Sequence, residues 1–333
     1  MPGGTREVRA RSGQRGCPGL RRLHVDELLS LLTRYPYWPH RPRASSVEQH
    51  AAFARASLQG AELVRHHRGS ILVAAVARQT LGWDTEKLGV PSARLSVIVD
   101  PDSVEVTASI VGEALASATS AGFGYLFTRV DARELATVQH LERAGFRTVD
   151  AIVSQYLRVG VQPGVSAAPS GIAVREATAA DAALVEEMTD ATLTQSRFHS
   201  DPLVGVEKAR AMYREWARNS VSGLNELTLI AEVDGVPAGF LSCKDVRGAR
   251  EAYGYGYCRI ELVAVLEAFR GTGAVQALTA NLLARCPAHG WALCGIGTQI
   301  SNATALRAYG KAGFTPGDAI FSMRWRADDA RHG

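Results

Sequence analysis

Ile260-Glu261-Leu262-Val263-Ala264-Val265-Leu266-Glu267-Ala268-Phe269-Arg270-Gly271-Thr272-Gly273-Ala274 is the stretch on which the fold of this 333-residue chain turns. Its apolar first half reads as a strand, and a helical pattern begins directly after Gly273. A strand that ends in a glycine-rich turn and opens a helix offers free backbone N–H groups and a positive dipole end to an anion. Glycines at 271 and 273 let the backbone approach a pyrophosphate closely, and Arg270 adds a cation beside it. Taken alone, Gly271 and Gly273 could equally be a plain strand-to-helix turn.

About thirty residues on lies Thr298-Gln299-Ile300-Ser301-Asn302-Ala303-Thr304-Ala305-Leu306-Arg307-Ala308-Tyr309-Gly310-Lys311-Ala312-Gly313-Phe314. Together the two segments resemble the signature segments of the Gcn5-related N-acetyltransferase (GNAT) superfamily. The resemblance implies an acyl-CoA co-substrate, acetyl-CoA first among them. It also implies that the strand Leu262, Val263, Ala264 and Val265 pairs with the pantetheine amides. Arg270, Gly271, Thr272, Gly273 and Ala274 would hold the pyrophosphate.

Working outward, the small and polar run 161–170 carries two prolines and reads as a linker. After it come strand Ile172 to Glu176, helices Ala179 to Leu193 and Val204 to Val221, and a hairpin turning at Asp234-Gly235. Strand Tyr257 to Leu266, helix Gly273 to Arg285, strand Ala292 to Thr298, helix Ala303 to Lys311 and a closing strand Ile320 to Arg326 complete the pattern. This order, β-α-α-β-β-β-α-β-α-β, matches the GNAT order of elements.

The first half has a related rhythm. Helix Ser103 to Ser120, strand Tyr125 to Val130 and helix Arg133 to Arg143 lead through Ala144-Gly145-Phe146 into another strand. Aligning the two Ala-Gly-Phe endings puts Leu141 where the second half has Tyr309. Val99-Asp100-Pro101-Asp102 stands where the second half has its glycine turn. The expected fold is therefore α/β: tandem GNAT-like domains, each a mixed, mostly antiparallel central sheet flanked by helices. Residues 1–22 form a basic, unpacked tail, 23–160 a degenerate domain, 161–170 the linker and 171–328 the catalytic domain.

Composition bounds the partners. At 46% hydrophobic and 21% charged residues the chain has core material for two globular domains. Its formal charge is +4, but residues 1–22 hold six arginines against Glu7, leaving −1 for the rest. The bulk of the chain therefore gives no sign of a nucleic-acid partner. No apolar run approaches the ~18 residues that span a membrane, and no secretory signal opens the chain, so a cytoplasmic location is expected. Five cysteines without CxxC spacing support neither zinc nor disulfides, and no metal is expected. Cys243, Cys258, Cys286 and Cys294 read as small core residues. A homodimer remains open.

Transfer of an acyl group from a thioester to an amine needs an acid for the leaving thiolate and a base for the amine. Tyr309 fits the acid, because a phenol is protonated at neutral pH; family members often have a tyrosine there. Its share of the Leu306 face fits a core aromatic equally well. Asn302 is a natural N-cap that in the family also reaches the cofactor. Glu261 lies where several GNATs carry a base; with period-2 geometry it shares a face with Val263 and Val265, and burial would raise its pKa. His199 and a water chain are the other choices.

Gln195-Ser196-Arg197-Phe198-His199, then Tyr213-Arg214-Glu215-Trp216, and the first-half run 82–90 around Trp83-Asp84-Thr85-Glu86 resemble the bacterial dTDP-fucosamine acetyltransferase group. That group N-acetylates an amino sugar on a nucleotide. Arg197, Phe198 and His199 would then face the acceptor, Arg197 and Phe198 gripping a phosphate and stacking a base or sugar. The other reading packs Phe198 in the core. The expected function is acyl-CoA-dependent N-acylation of a small-molecule primary amine such as a nucleotide-linked amino sugar. The alternatives are a protein N-terminal acetyltransferase and a non-catalytic CoA-binding or carrier-protein-interacting regulator.

Overall fold

A computed structural model describes residues 21–22, 28–38, 46–160, 171–202 and 204–327. The linker 161–170, and the basic tail apart from 21–22, lie outside the described residues. The first half comprises β1 (Arg21–Arg22), α1 (Leu29–Arg34), α2 (Val47–Ser57), β2 (Glu62–Arg68), β3 (Ile71–Thr80), α3 (Gly82–Leu88), β4 (Ser92–Val99), α4 (Thr107–Ser120), β5 (Tyr125–Asp131), α5 (Leu135–Arg143) and β6 (Arg147–Arg158). The second comprises β7 (Ile172–Glu176), α6 (Ala182–Thr192), α7 (Val206–Val221), β8 (Leu227–Val233), β9 (Val236–Asp245), α8 (Ala249–Tyr253), β10 (Gly256–Val265), α9 (Ala274–His289), β11 (Trp291–Gln299), α10 (Ala303–Lys311) and β12 (Thr315–Arg326).

Local chemistry explains the boundaries. Ser46 and Gln49 form a reciprocal capping box that starts α2. Asp234 and Gly235 both adopt positive φ, 51° and 77°, as a two-residue hairpin between β8 and β9 requires. Gly273, at φ 97°, turns the chain into α9.

Among the described residues, the twelve strands form one sheet in the order β1-β2-β3-β4-β5-β12-β6-β11-β10-β9-β8-β7. Only β4/β5 and β10/β11 are parallel neighbours, so the sheet is mixed and mostly antiparallel. The closing strand does not close its own half. β12 pairs with β5 of the first half, and β6 pairs with β11 of the second. β12 and β6 then pair with each other at the centre. Each half thus lends its last strand to the other, leaving no open edge in the middle of the sheet.

Two layers of helices cover the sheet. In β3, Ala74 and Val76 pack with α4, while Ala75 and Ala77 pack with α1 and α2 on the opposite face. α9 and α10 continue the α4 side over the second half, and α6 and α7 continue the other. Cys243, Cys258, Cys286 and Cys294 are fully buried in the α9 core, as their apolar neighbours implied.

Candidate active site

β10 and β11 pair only as far as Ile260 and Ile296. Beyond that point Leu262 to Val265 stay bonded to β9, and Gly297 to Gln299 stay bonded to β6. The strands splay, and among the described residues the inner backbone edge of Leu262–Val265 has no strand partner. An extended amide-bearing ligand fits there as an added strand. The cleft leads to the glycine turn. The Ala277 N–H bonds back to the Gly273 carbonyl at 2.9 Å, so the N–H groups of Ala274, Val275 and Gln276 point out of the start of α9. Arg270 is half exposed, and among the described residues its side chain has only a 3.8 Å contact to Glu267. The turn and cleft therefore suit the pyrophosphate and pantetheine of an acyl-CoA.

The corresponding place in the first half is built differently. β4 and β5 also part, after Leu95 and Thr128. There the Asp100 carboxylate occupies the turn, accepting the Asp102 N–H at 3.1 Å and the Arg34 Nε at 2.5 Å. A carboxylate rather than a glycine thus stands at this turn, and Leu141, fully buried, holds the position that aligns with Tyr309.

Tyr309 is buried on α10 in one apolar cluster with Ile260 and Ile296, the last paired residues before the splay. Its ring meets Phe314 edge-on at 6.3 Å. Burial pushes the phenol above its ordinary value, which keeps the proton on it at neutral pH. Asn302 caps α10 by accepting the Ala305 N–H at 3.1 Å.

Glu261 corrects the period-2 expectation. The register between β9 and β10 slips at Ile260/Leu262, a bulge that breaks the alternation. Val263 and Val265 pack towards α9, whereas Glu261 lies with Arg259 and Lys244, each at 2.8 Å. Burial alone would raise its carboxyl, but Arg259 and then Lys244 outweigh it and hold it below the ordinary value. The expected elevation is absent, and with it the argument for Glu261 as base.

A cavity of about 350 Å³ lies beside the splay on the α6–α7 face, lined among others by Trp83, Asp150, Arg197, Tyr213, Lys244 and Gln299. Asp150 comes from the exchanged strand β6 and accepts from Gln299 Nε2 at 3.2 Å. Burial raises its carboxyl above the ordinary value, over the opposing hydrogen bond from Gln299. Sequence reasoning missed Asp150, because only the strand exchange carries it into the second half's site.

The Ser-Arg-Phe segment serves first to join the halves. Arg197 bonds Asp84 of α3 at 2.7 Å, with its guanidinium over the rings of Phe127 and Phe198 at 4.1 and 3.9 Å. Phe198 is only 2% exposed and meets Trp83 edge-on; it is a core wall of the cavity, not an open stacking platform. Lys87 and Trp83 of α3 both reach Glu215 of α7. The two sequence motifs singled out separately are thus two sides of one contact. His199 Nδ1 pairs with the Ser196 hydroxyl at 2.8 Å, and burial, then Arg210, lowers its pKa.

This splayed pair of strands, with a glycine turn opening a helix and a buried tyrosine behind it, defines a class. Residues 190–314 match the model of the acetyltransferase (GNAT) family. It is similar to the spore coat polysaccharide biosynthesis protein SpsD of Bacillus subtilis (strain 168), with 23% identity over 211 residues, 62% of this chain and 68% of that protein. In three dimensions it is similar to a GCN5-related N-acetyltransferase from Sphaerobacter thermophilus (TM-score 0.59, 15% identity, 91% and 92% of the two chains covered). It is also similar to a tandem GNAT protein from the clavulanic acid biosynthesis pathway (TM-score 0.54, 17% identity, 91% and 94% covered). These likenesses extend over both halves. Among the described residues no helix is long and apolar enough to cross a membrane.

Proposed function

We propose that this protein transfers an acyl group, acetyl first among candidates, from acyl-CoA to the primary amine of a small molecule such as a nucleotide-linked amino sugar. The observation that carries the reading is the β10–β11 splay, with a glycine turn at one end and the Asp150 cavity beside it. Acyl-CoA supplies the acyl group activated as a thioester. Leu262–Val265 bind and orient its pantetheine arm, and the N–H groups of α9 with Arg270 hold its pyrophosphate. Asp150 takes a proton from the acceptor ammonium, and Tyr309 gives one to the departing thiolate. One such site serves each chain, because Asp100 and Leu141 disarm the other. The likeness to a polysaccharide biosynthesis protein supports a sugar acceptor.

The test is thiol release from saturating acetyl-CoA with three acceptor sets: nucleotide-linked amino sugars, free amino sugars and peptides with free N-termini. The nucleotide-linked set should turn over with the highest kcat/KM, each product gaining one acetyl group by mass. Turnover confined to the peptides would replace this reading by protein N-terminal acetylation.

A further inference from the structure

A second cavity, of about 370 Å³, lies on the same sheet face beneath the first-half helices. Arg94 of β4, Arg129 of β5, Arg259 of β10 and Arg247 beyond β9 line it. Among the described residues no aspartate or glutamate lines it, and Tyr35, Trp38, Phe53 and Tyr257 supply aromatic walls. Arg129 also lines the Asp150 cavity, so the two spaces adjoin through its side chain. Among the described residues the Arg94 Nε is buried without a hydrogen-bond partner, while its other end donates to Gln79. Glu261 offsets Arg259 from outside the cavity.

The arginines also oppose one another. Burial, then Arg259, Arg197 and Arg94, holds the Arg129 guanidinium down to about 9. Burial and the charges of Arg259 and Arg197 likewise lower Arg94. Guanidinium groups remain protonated at neutral pH, so an anion in the cavity would relieve the mutual repulsion of these arginines.

We propose that the cavity is the acceptor's anion subsite: it takes the diphosphate of a nucleoside diphosphate, so that a linked amine reaches Asp150 past Arg129. The inference rests on the acyltransferase reading and deepens it by giving the disarmed first half a task. Arginine forks match phosphate oxygens, aromatic walls suit a nucleoside, and the volume suits a small ligand.

The experiment is calorimetric titration of CoA-saturated full-length protein, whose glycine turn is already filled, with thymidine diphosphate, uridine diphosphate and the unphosphorylated nucleosides. One nucleoside diphosphate should bind per chain, with the nucleosides far weaker. Arg94→Gln should weaken diphosphate binding about tenfold to a hundredfold, with CoA affinity unchanged and the melting temperature of the unliganded protein not lowered. Arg94→Lys should recover part of the loss. Absence of diphosphate binding to the CoA-saturated wild type, or full binding by both Arg94→Gln and Arg129→Gln, overturns the subsite. If unphosphorylated amines are nonetheless acetylated, the acyltransferase reading survives that failure. If diphosphate binds as described but no amine is acylated, the subsite stands and the acyltransferase reading fails.

Discussion

Asp150 and Tyr309 carry opposite halves of the proposed proton traffic, and their surroundings suit the two tasks. A carboxylate raised by burial is a better base at neutral pH than one held down by two cations, which is why Asp150 rather than Glu261 is assigned the amine. Asp150→Asn should lower kcat by roughly 10²–10⁴ and remove the acid limb of the pH–rate profile, while acetyl-CoA affinity is retained. An unchanged acid limb would return the base to another group. Tyr309→Phe, which deletes only the hydroxyl, should lower kcat by about the same factor with little change in KM for acetyl-CoA; rate-limiting chemistry that is unaffected would leave Tyr309 a packing residue. Arg197→Ala strands Asp84, whose side chain is 9% exposed, so the cost should reach ~3–5 kcal/mol. Arg197→Ala with Asp84→Asn should recover much of that in denaturant unfolding, and strict additivity would show that the pair is uncoupled.

Among the elements, the second half was legible almost strand by strand. The Asp-Gly hairpin, the Ala303–Lys311 helix and the Gly273 helix start all sit where turn chemistry and periodicity put them. What periodicity could not carry was the bulge at Glu261, since one inserted residue reverses every later face. Arg94, Arg129 and Arg259 were each visible as a charge inside an apolar strand, but nothing local says that three distant strands bring them to one cavity. The α1 segment shows a further device: Tyr35 donates to Glu134 at 2.7 Å just before α5. Burial raises Glu134 from 4.5 to about 8, with Asp131 adding to it. An acid whose folded pKa is raised favours the fold fully below about pH 4.5 and loses that contribution as pH climbs to about 8. Glu134→Gln, which still accepts from Tyr35, should therefore gain melting temperature over wild type progressively between those values. Parallel melting curves across that window would mean the group titrates normally.

For the molecule as a whole, the exchange of β6 and β12 decides what can be separated. Sequence shows two halves and a linker; it does not show that each half's last strand belongs to the other's sheet, because strand propensity is silent on partners. Separated fragments 1–160 and 171–333 would each expose an unpaired central edge, β5 in one and β11 in the other. Expressed alone they should aggregate or stay unfolded, and co-expression should restore a soluble complex; two independently folded monomers would be inconsistent with the exchange.

The exchange also makes the proposed acyl-CoA cleft a property of the intact chain, and hydrogen–deuterium exchange of the full-length protein with and without acetyl-CoA reads that cleft directly. Protection should appear at residues 262–265 and 271–276, the open strand edge and the start of α9, and should be absent at residues 96–103 of the first half. Protection at 96–103 instead, or at neither segment despite saturable binding, would contradict a single acyl-CoA site between β10 and β11.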